Sequence, residues 1–246
     1  MLLNNEKLEP LGNNVYVIVS YVHKFSTDTI LLADFAKPKK HEKAIDLGSG
    51  CGAIPLLWAR DNECLNAIAV DIQKDACDML KRSVQYNHLE DKITVINSDI
   101  KDLKGKLKAA SYNLISCNPP YKPIGTGLVN PEDSKKIARH EHLCTIDDII
   151  NESSRLLNFS GRLCMCLRPD RLCDVMESMR KAKIEPKKLR FVQQRKTKAP
   201  KLFLIEGRKG ANPGIRVLET LLIEKDDGKL SDEMIKIYGV YGENKK

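Results

Sequence analysis

An apolar run that empties into three alternating glycines and then into a helical pattern most constrains the fold of this chain. The run is Lys43-Ala44-Ile45-Asp46-Leu47, the turn is Gly48-Ser49-Gly50-Cys51-Gly52, and helical apolar spacing follows from Ala53 to Arg60. A strand that turns this sharply into a helix opens a strand-helix unit of a parallel sheet. Gly48, Gly50 and Gly52 accept positive φ and let the backbone come close to a ligand. The helix behind them points free amides and the positive end of its dipole at the same place. Asp71 closes a second apolar run, Ala67-Ile68-Ala69-Val70, 19 residues after Gly52. An acid there accepts hydrogen bonds from ribose hydroxyls at the edge of a nucleotide-binding sheet.

The order of elements predicts an α/β, Rossmann-like, doubly wound seven-stranded sheet. Strands are predicted near 44–47, 67–70, 93–96, 114–117, 162–167, 189–193 and 202–206, with helices near 53–60, 74–88, 146–157 and 171–183. Alternating elements imply parallel strands joined by right-handed crossovers, with ligands beyond the carboxyl ends of the strands. Asp46, Asp71, Asp99 and Asn118 fall at or just past such ends. Only a loop separates the last two strands, so the last runs antiparallel. Upstream, Ser26 or Thr27 is placed to cap a helix that packs Ile30, Leu31 and Ala33 on the sheet. One domain is expected, with residues 1–42 as N-terminal segment and cap, 43–209 as core and 210–246 as a C-terminal extension.

The fourth strand is stopped abruptly by Asn118-Pro119-Pro120-Tyr121. Each proline fixes φ and removes an amide donor, which makes a rigid, extended turn. That turn aims the Asn118 amide, the Pro119 carbonyl and the Tyr121 ring past the strand end. Two acceptors beside an aromatic plate suit a flat ligand carrying an amino group, such as adenine. Alone, a Pro-Pro pair would more simply end a strand; behind the glycine turn and Asp71 it carries chemistry.

Two cofactors suit a glycine turn followed by an acid. The dinucleotide fingerprint spaces its glycines as Gly-x-Gly-x-x-Gly, and here the third comes one residue early. The Asp-x-Gly-x-Gly-x-Gly spacing from Asp46 to Gly52 resembles the first motif of class I methyltransferases, and Asn-Pro-Pro-Tyr resembles the motif of amino-group methyltransferases that use S-adenosylmethionine. The chain resembles the bacterial valine-tRNA adenine-N6 methyltransferases. That resemblance spans nearly the whole chain. It includes Phe25-Ser26-Thr27-Asp28, both motifs, Ala138-Arg139-His140-Glu141 and the stretch from Leu204 to Gly210.

The resemblance implies S-adenosylmethionine as cofactor and an adenine beside the anticodon of valine tRNA as substrate. It puts Lys24, Phe25 and Asp28 near the methionine end of the cofactor, and Asp99 against its adenine. Asn118, Pro119, Pro120 and Tyr121 become the catalytic set, with Tyr121, Arg139 and His140 meeting RNA. His140 reads as a structural or RNA-contacting residue, because methylation of an amine needs no strong base.

Net charge is +8, and it is concentrated: eleven Lys or Arg stand against Glu185 and Glu206 between Lys181 and Lys209, leaving the rest of the chain near −1. A solvated basic face is the bland alternative. Beside a motif suited to adenine, attraction to phosphates is the better reading. Candidate phosphate contacts are Arg190, Arg195, Lys196, Lys198 and Lys201. Eight scattered cysteines lack a Cys-x-x-Cys pair or nearby histidines, which favours free thiols in a reducing cytoplasm over metal or disulfides. Cys164 and Cys166 share one face of a strand. No run approaches a membrane helix, and the first residues lack a signal-peptide pattern. A monomer or weak dimer is expected, without metal.

Other readings keep a place. Ribosomal RNA and DNA amino-methyltransferases present similar amines to the same motif. Glutamine methyltransferases that act on release factors carry a helical domain before the glycine turn, whereas 45 residues precede Asp46 here. A dinucleotide oxidoreductase leaves Asn-Pro-Pro-Tyr unexplained, and a non-catalytic RNA-binding protein leaves the intact motif idle.

Overall fold

The computed structural model describes residues 2–119 and 144–239. Pro120, Tyr121, Arg139 and His140, and the loop around them, lie outside the described residues.

Two strands come first that the sequence reading did not anticipate, β1 (Glu6–Gly12) and β2 (Val15–Ser20). They form an antiparallel hairpin across Asn13 and Asn14, whose φ angles of 49° and 58° fit a tight hairpin turn. Helix α1 (Thr27–Ala36) follows, with Ser26 at its N-cap position but no side-chain cap bond. The Thr27 hydroxyl instead meets the Tyr238 hydroxyl at 3.2 Å. Neither expected residue therefore caps the helix through its side chain.

The main sheet then winds through β3 (Lys43–Leu47), α2 (Ala53–Asp61), β4 (Asn66–Asp71), α3 (Lys74–Tyr86), β5 (Ile93–Asn97) and β6 (Tyr112–Cys117). It continues with α4 (Ile146–Leu156), β7 (Leu157–Leu167), α5 (Leu172–Lys181), β8 (Ile184–Gln193) and β9 (Leu202–Lys209). Spatial order is β8-β9-β7-β6-β3-β4-β5, with β9 inserted antiparallel between β7 and β8. The remaining pairs within this set are parallel.

The strands alternate cleanly between two cores. Ala44, Ala67, Ala69, Leu114, Cys164, Cys166 and Leu204 face α1, α2, α3 and the hairpin, and Cys164 and Cys166 do share a face. Ile45, Leu47, Ile115, Met165, Phe203 and Ile205 face α4 and α5. Burial on both sides explains the near-continuous apolar runs of these strands. All eight cysteines are free.

The sheet is wider than seven strands. β10 (Arg216–Val217) and β11 (Leu221–Leu222) each run parallel along β8, giving nine strands in all. Two-residue strands carry no readable period, yet they cover the outer edge of β8, whose free amides and carbonyls would otherwise invite pairing. Helix α6 (Asp232–Tyr238) ends the described chain and sets Met234 and Ile237 into the first core beside α1. The hairpin packs against α3. The Ile18 amide donates to the Ser83 hydroxyl at 2.9 Å, and Asn87 accepts from Tyr16 N and donates to Tyr16 O. Among the described residues no helix is long and apolar enough to cross a membrane.

Candidate active site

Parallel pairing in register brings the strand ends to one height: Leu47 opposes both Val70 and Cys117, and Cys117 opposes Met165. Just beyond those ends lies a cavity of about 490 Å³, within the range of small-ligand sites. Its described wall takes Asp99 and Ile100 after β5, Asp71 to Gln73 after β4, and Leu47, Gly48 and Gly50 after β3. Cys117, Asn118 and Pro119 come from β6, and Leu167, Arg168, Asp170 and Arg171 from β7. The start of α4 closes it with Cys144, Thr145, Ile146 and Ile149.

The glycine turn is held from both sides. Gly48 and Ser49 amides donate to the Val70 carbonyl at 2.8 and 3.0 Å. The Asp71 carboxylate accepts the Gly50 amide at 2.7 Å and the Gln73 amide at 2.8 Å. Gly48 and Gly50 have φ of 74° and 54°, and a Cβ on either would meet nothing within 4 Å. They are the glycines that leave room for a ligand.

Gly52 has another reason to be glycine. Its φ is 82°, and a Cβ there would stand 2.1 Å from Leu80 Cδ1 on α3. It does not line the described cavity wall, and the close approach of Leu80 gives it a packing reason to be glycine. Asp46 departs similarly from expectation. It is 1% exposed and accepts from Ser116 Oγ at 2.6 Å and Ser49 Oγ at 2.7 Å. Its carboxylate anchors the turn from behind the wall. Burial pushes its pKa up to about 7, against the lowering from those two hydroxyls.

At the far end Asp99 does line the cavity, and one of its oxygens also accepts the Lys101 amide at 2.9 Å, capping the short turn that follows. β5 itself stops at Asn97, two residues before Asp99. Thr145 and Asp148 exchange side-chain-to-backbone bonds in a capping box that fixes the start of α4 over the site. Burial pushes the Cys144 thiol up to about 11, so it stays protonated at neutral pH.

The N-terminal segment reaches the site differently than expected. Lys24, Phe25 and Asp28 are not in the cavity wall; Lys24 sits 5.6 Å over the Tyr21 ring and Phe25 packs on the first core. Thr29 makes the approach instead, its hydroxyl accepting from Asn118 Nδ2 at 3.4 Å.

The basic window is partly spent inside the fold. Arg190 forms a two-pronged pair with Glu233 of α6 at 2.6 and 2.7 Å, and Arg195 pairs with Glu224 at 2.5 Å. Lys188 and Arg208 both bond the buried Glu206 at 3.0 Å. Burial raises that carboxyl, and these two cations more than offset it, leaving it below the ordinary range. Lys196, Lys198 and Lys201 are exposed, on the turn between β8 and β9. β8 is antiparallel to β9, which is antiparallel to β7, so this turn stands on the same rim of the sheet as the cavity.

Reasoning from sequence missed Thr29 and the Arg168–Arg171 turn. Thr29 had no signal. The turn did have one, because Leu167 ends a recognised strand and the residue after it belongs to the ligand rim.

Strand order, an antiparallel seventh strand inserted between two parallel ones and a glycine turn tied to an acid on the next strand define a class I methyltransferase. The chain belongs to the methyltransferase small domain family, which matches residues 22–182. It is 26% identical over 183 residues to a tRNA1(Val) (adenine(37)-N6)-methyltransferase of Parabacteroides distasonis, covering 74% of this chain and 76% of that one. A protein of the same name from Tolumonas auensis is 26% identical over 216 residues, covering 87% of each. Among solved structures, a predicted O-methyltransferase from Agrobacterium tumefaciens shares the fold with a TM-score of 0.68 at 15% identity, covering 86% of this chain and 95% of that one. A geranyl diphosphate methyltransferase in complex with GPP and sinefungin gives 0.54 at 11% identity, covering 74% and 77%.

S-adenosylmethionine is the cofactor of this class, and the residues present fit it. Open turns at Gly48 and Gly50 leave space for its amino-acid end, Asp71 borders the cavity where a ribose is expected, and Asp99 stands one strand further out.

Proposed function

We propose that this chain methylates the exocyclic N6 amine of an adenine in tRNA, at the anticodon-loop position 37 for which its relatives are named. The observation that carries this reading is the presence of Asn118 and Pro119 in the cavity wall, one strand from the glycine turn. S-adenosylmethionine supplies a methyl already activated on a sulfonium.

The chain's task is to present the nucleophile. An adenine amine is weak because its lone pair is delocalised into the ring. With Asn118 Oδ1 and the Pro119 carbonyl accepting its two hydrogens, the nitrogen is held out of conjugation and directed along one line of attack. Positioning of this kind supplies several kcal/mol of barrier reduction. The Thr29 hydroxyl accepts from Asn118 Nδ2 and so helps to orient the amide assigned to the substrate. The proton leaves to water after transfer. The target base must be turned out of the RNA to reach this depth. Lys196, Lys198 and Lys201 supply attraction to the tRNA backbone on the same rim, and Tyr121 is assigned to stack on the base. The protein works on this reading as a cytoplasmic monomer or weak dimer.

The test is methyl transfer from labelled S-adenosylmethionine to unmodified valine tRNA, with nucleoside analysis of the product. N6-methyladenosine in that tRNA and not in others is the expected result. Label in ribosomal RNA, DNA or a release factor instead would overturn the substrate.

A further inference from the structure

The turn after β7 carries two arginines, Arg168 and Arg171, that line the cavity and have no part in the roles assigned above. The cavity runs across the ends of five adjacent strands, β5, β4, β3, β6 and β7. At about 4.8 Å between strands that is a span of about 19 Å, long enough for two ligands end to end.

The order of groups along that span assigns its two halves. Asp99, Asp71 and the glycine turn occupy the β5-β4-β3 side, and Asn118 stands on β6 at the boundary. Arg168 and Arg171 stand on β7, beyond Asn118 and away from the cofactor residues. Charge is graded along the span as well. Of the charged side chains in the described wall, both cations lie on the β7 side together with Asp170, and the other side holds only the acids Asp71 and Asp99.

Neither arginine is locked. Arg168 approaches Asp170 only at 3.9 Å, with its side chain 42% exposed. Arg171 pairs at 3.1 Å with Asp174, which is itself 64% exposed. Surface pairs of this kind contribute little and exchange readily for a stronger anion. A guanidinium offers a planar fork of donors that suits a phosphate.

We propose that Arg168 and Arg171 form the far wall of the substrate subsite and hold the phosphates that flank the target nucleotide. This rests on the reading of the substrate as an RNA adenine. A base turned out of its strand brings its own backbone to the mouth of the pocket. There the two arginines grip it one strand spacing from Asn118. Two strand spacings further on, about 10 Å away, the Lys196–Lys201 turn continues the same positive rim. The arginines thus join the cavity to the lysines as one track for a polyanionic strand.

The experiment compares the full chain with Arg168→Ala, Arg171→Ala and Arg168→Lys. It measures tRNA binding across a salt series, steady-state methylation, and cofactor affinity. Each alanine variant is expected to raise Kd and KM for tRNA about tenfold and to lower the slope of log affinity against log salt by about 1. Turnover at saturating tRNA should stay within about twofold, cofactor affinity should be unchanged, and Arg168→Lys should keep the salt slope. Unchanged tRNA affinity and slope in both alanine variants, with the wild type active on tRNA, would sink this inference and leave the function standing. Lost cofactor binding at normal tRNA affinity would also overturn it. A wild type that neither binds nor methylates tRNA would remove the substrate reading as well, and that is visible in the wild-type measurement alone.

Discussion

The Asp71 carboxylate accepts the Gly50 amide at 2.7 Å, so the end of β4 holds the ligand turn of its neighbour β3. Its second oxygen accepts the Gln73 amide. Asp71→Ala leaves two half-buried amides without partners, a cost of about 1–3 kcal/mol. The melting temperature should fall by about 3–8 °C. Cofactor affinity should fall at least about tenfold, since hydrogen bonds to the charged group are lost too. Calorimetry and thermal unfolding check both; a variant with normal cofactor affinity would remove Asp71 from the binding site.

Gly52 and Gly50 should respond differently to alanine. Gly52→Ala sets a Cβ against Leu80 in addition to left-handed strain and should cost about 2–4 kcal/mol. Gly50→Ala meets no neighbour and should cost about 1–2 kcal/mol of strain, with its larger effect on cofactor binding. Combining Gly52→Ala with Leu80→Ala should cost less than the sum of the two single changes. Strict additivity in that double-mutant cycle would refute the packing role.

Asp46 gives the stability a pH dependence of unusual sign. Its folded pKa is raised from 3.8 to about 7, so the native state holds a proton that the unfolded chain has released across that window. Stability from this group is therefore present at low pH and lost as pH rises from about 4 through 7. Asp46→Asn removes the titration while keeping a side chain able to bond Ser49 and Ser116. The difference in melting temperature, wild type minus variant, should fall between pH 4 and 7 and level off above. A difference that stays flat with pH would show that the carboxyl is not displaced.

Asn118→Ala removes one of the two acceptors proposed for the amine. Turnover should drop about 10²–10³-fold, the scale of losing one preorganised hydrogen-bonding group, with cofactor affinity nearly unchanged. Thr29→Val should lower turnover by a smaller factor, since it removes one contact that orients the Asn118 amide and leaves the amide itself in place. Near-normal turnover in Asn118→Ala would defeat the mechanism.

Lys198→Glu and Arg190→Ala separate RNA contact from structure. Lys198 is exposed on the rim, and its reversal should weaken tRNA binding most at low salt. Arg190 holds Glu233 of α6, so its loss should lower the melting temperature before it affects RNA. Identical tRNA binding by Lys198→Glu at several salt concentrations would clear that turn of an RNA role.

The linear order of residues was enough to place the central strands and helices. Ala44–Leu47, Ala67–Val70 and Leu114–Cys117 are apolar because both faces of a parallel strand are buried, and that pattern needs no partner to be read. The glycine turn, Asp71 and Asn118 were legible for the same local reason: their backbone demands or their position after a strand can be seen within a few residues. Packing decided the rest. Gly52 and Asp46 look like ligand residues in the motif, and only the approach of Leu80 and of Ser116 from distant elements shows that they support the turn. Arg190 reads as a surface cation until α6 folds back across 43 residues to bond it. β10 and β11 form only because β8 offers an open edge. Local conformation follows from neighbours in the chain, whereas the use of a side chain depends on which groups the folded sheet brings within reach of it.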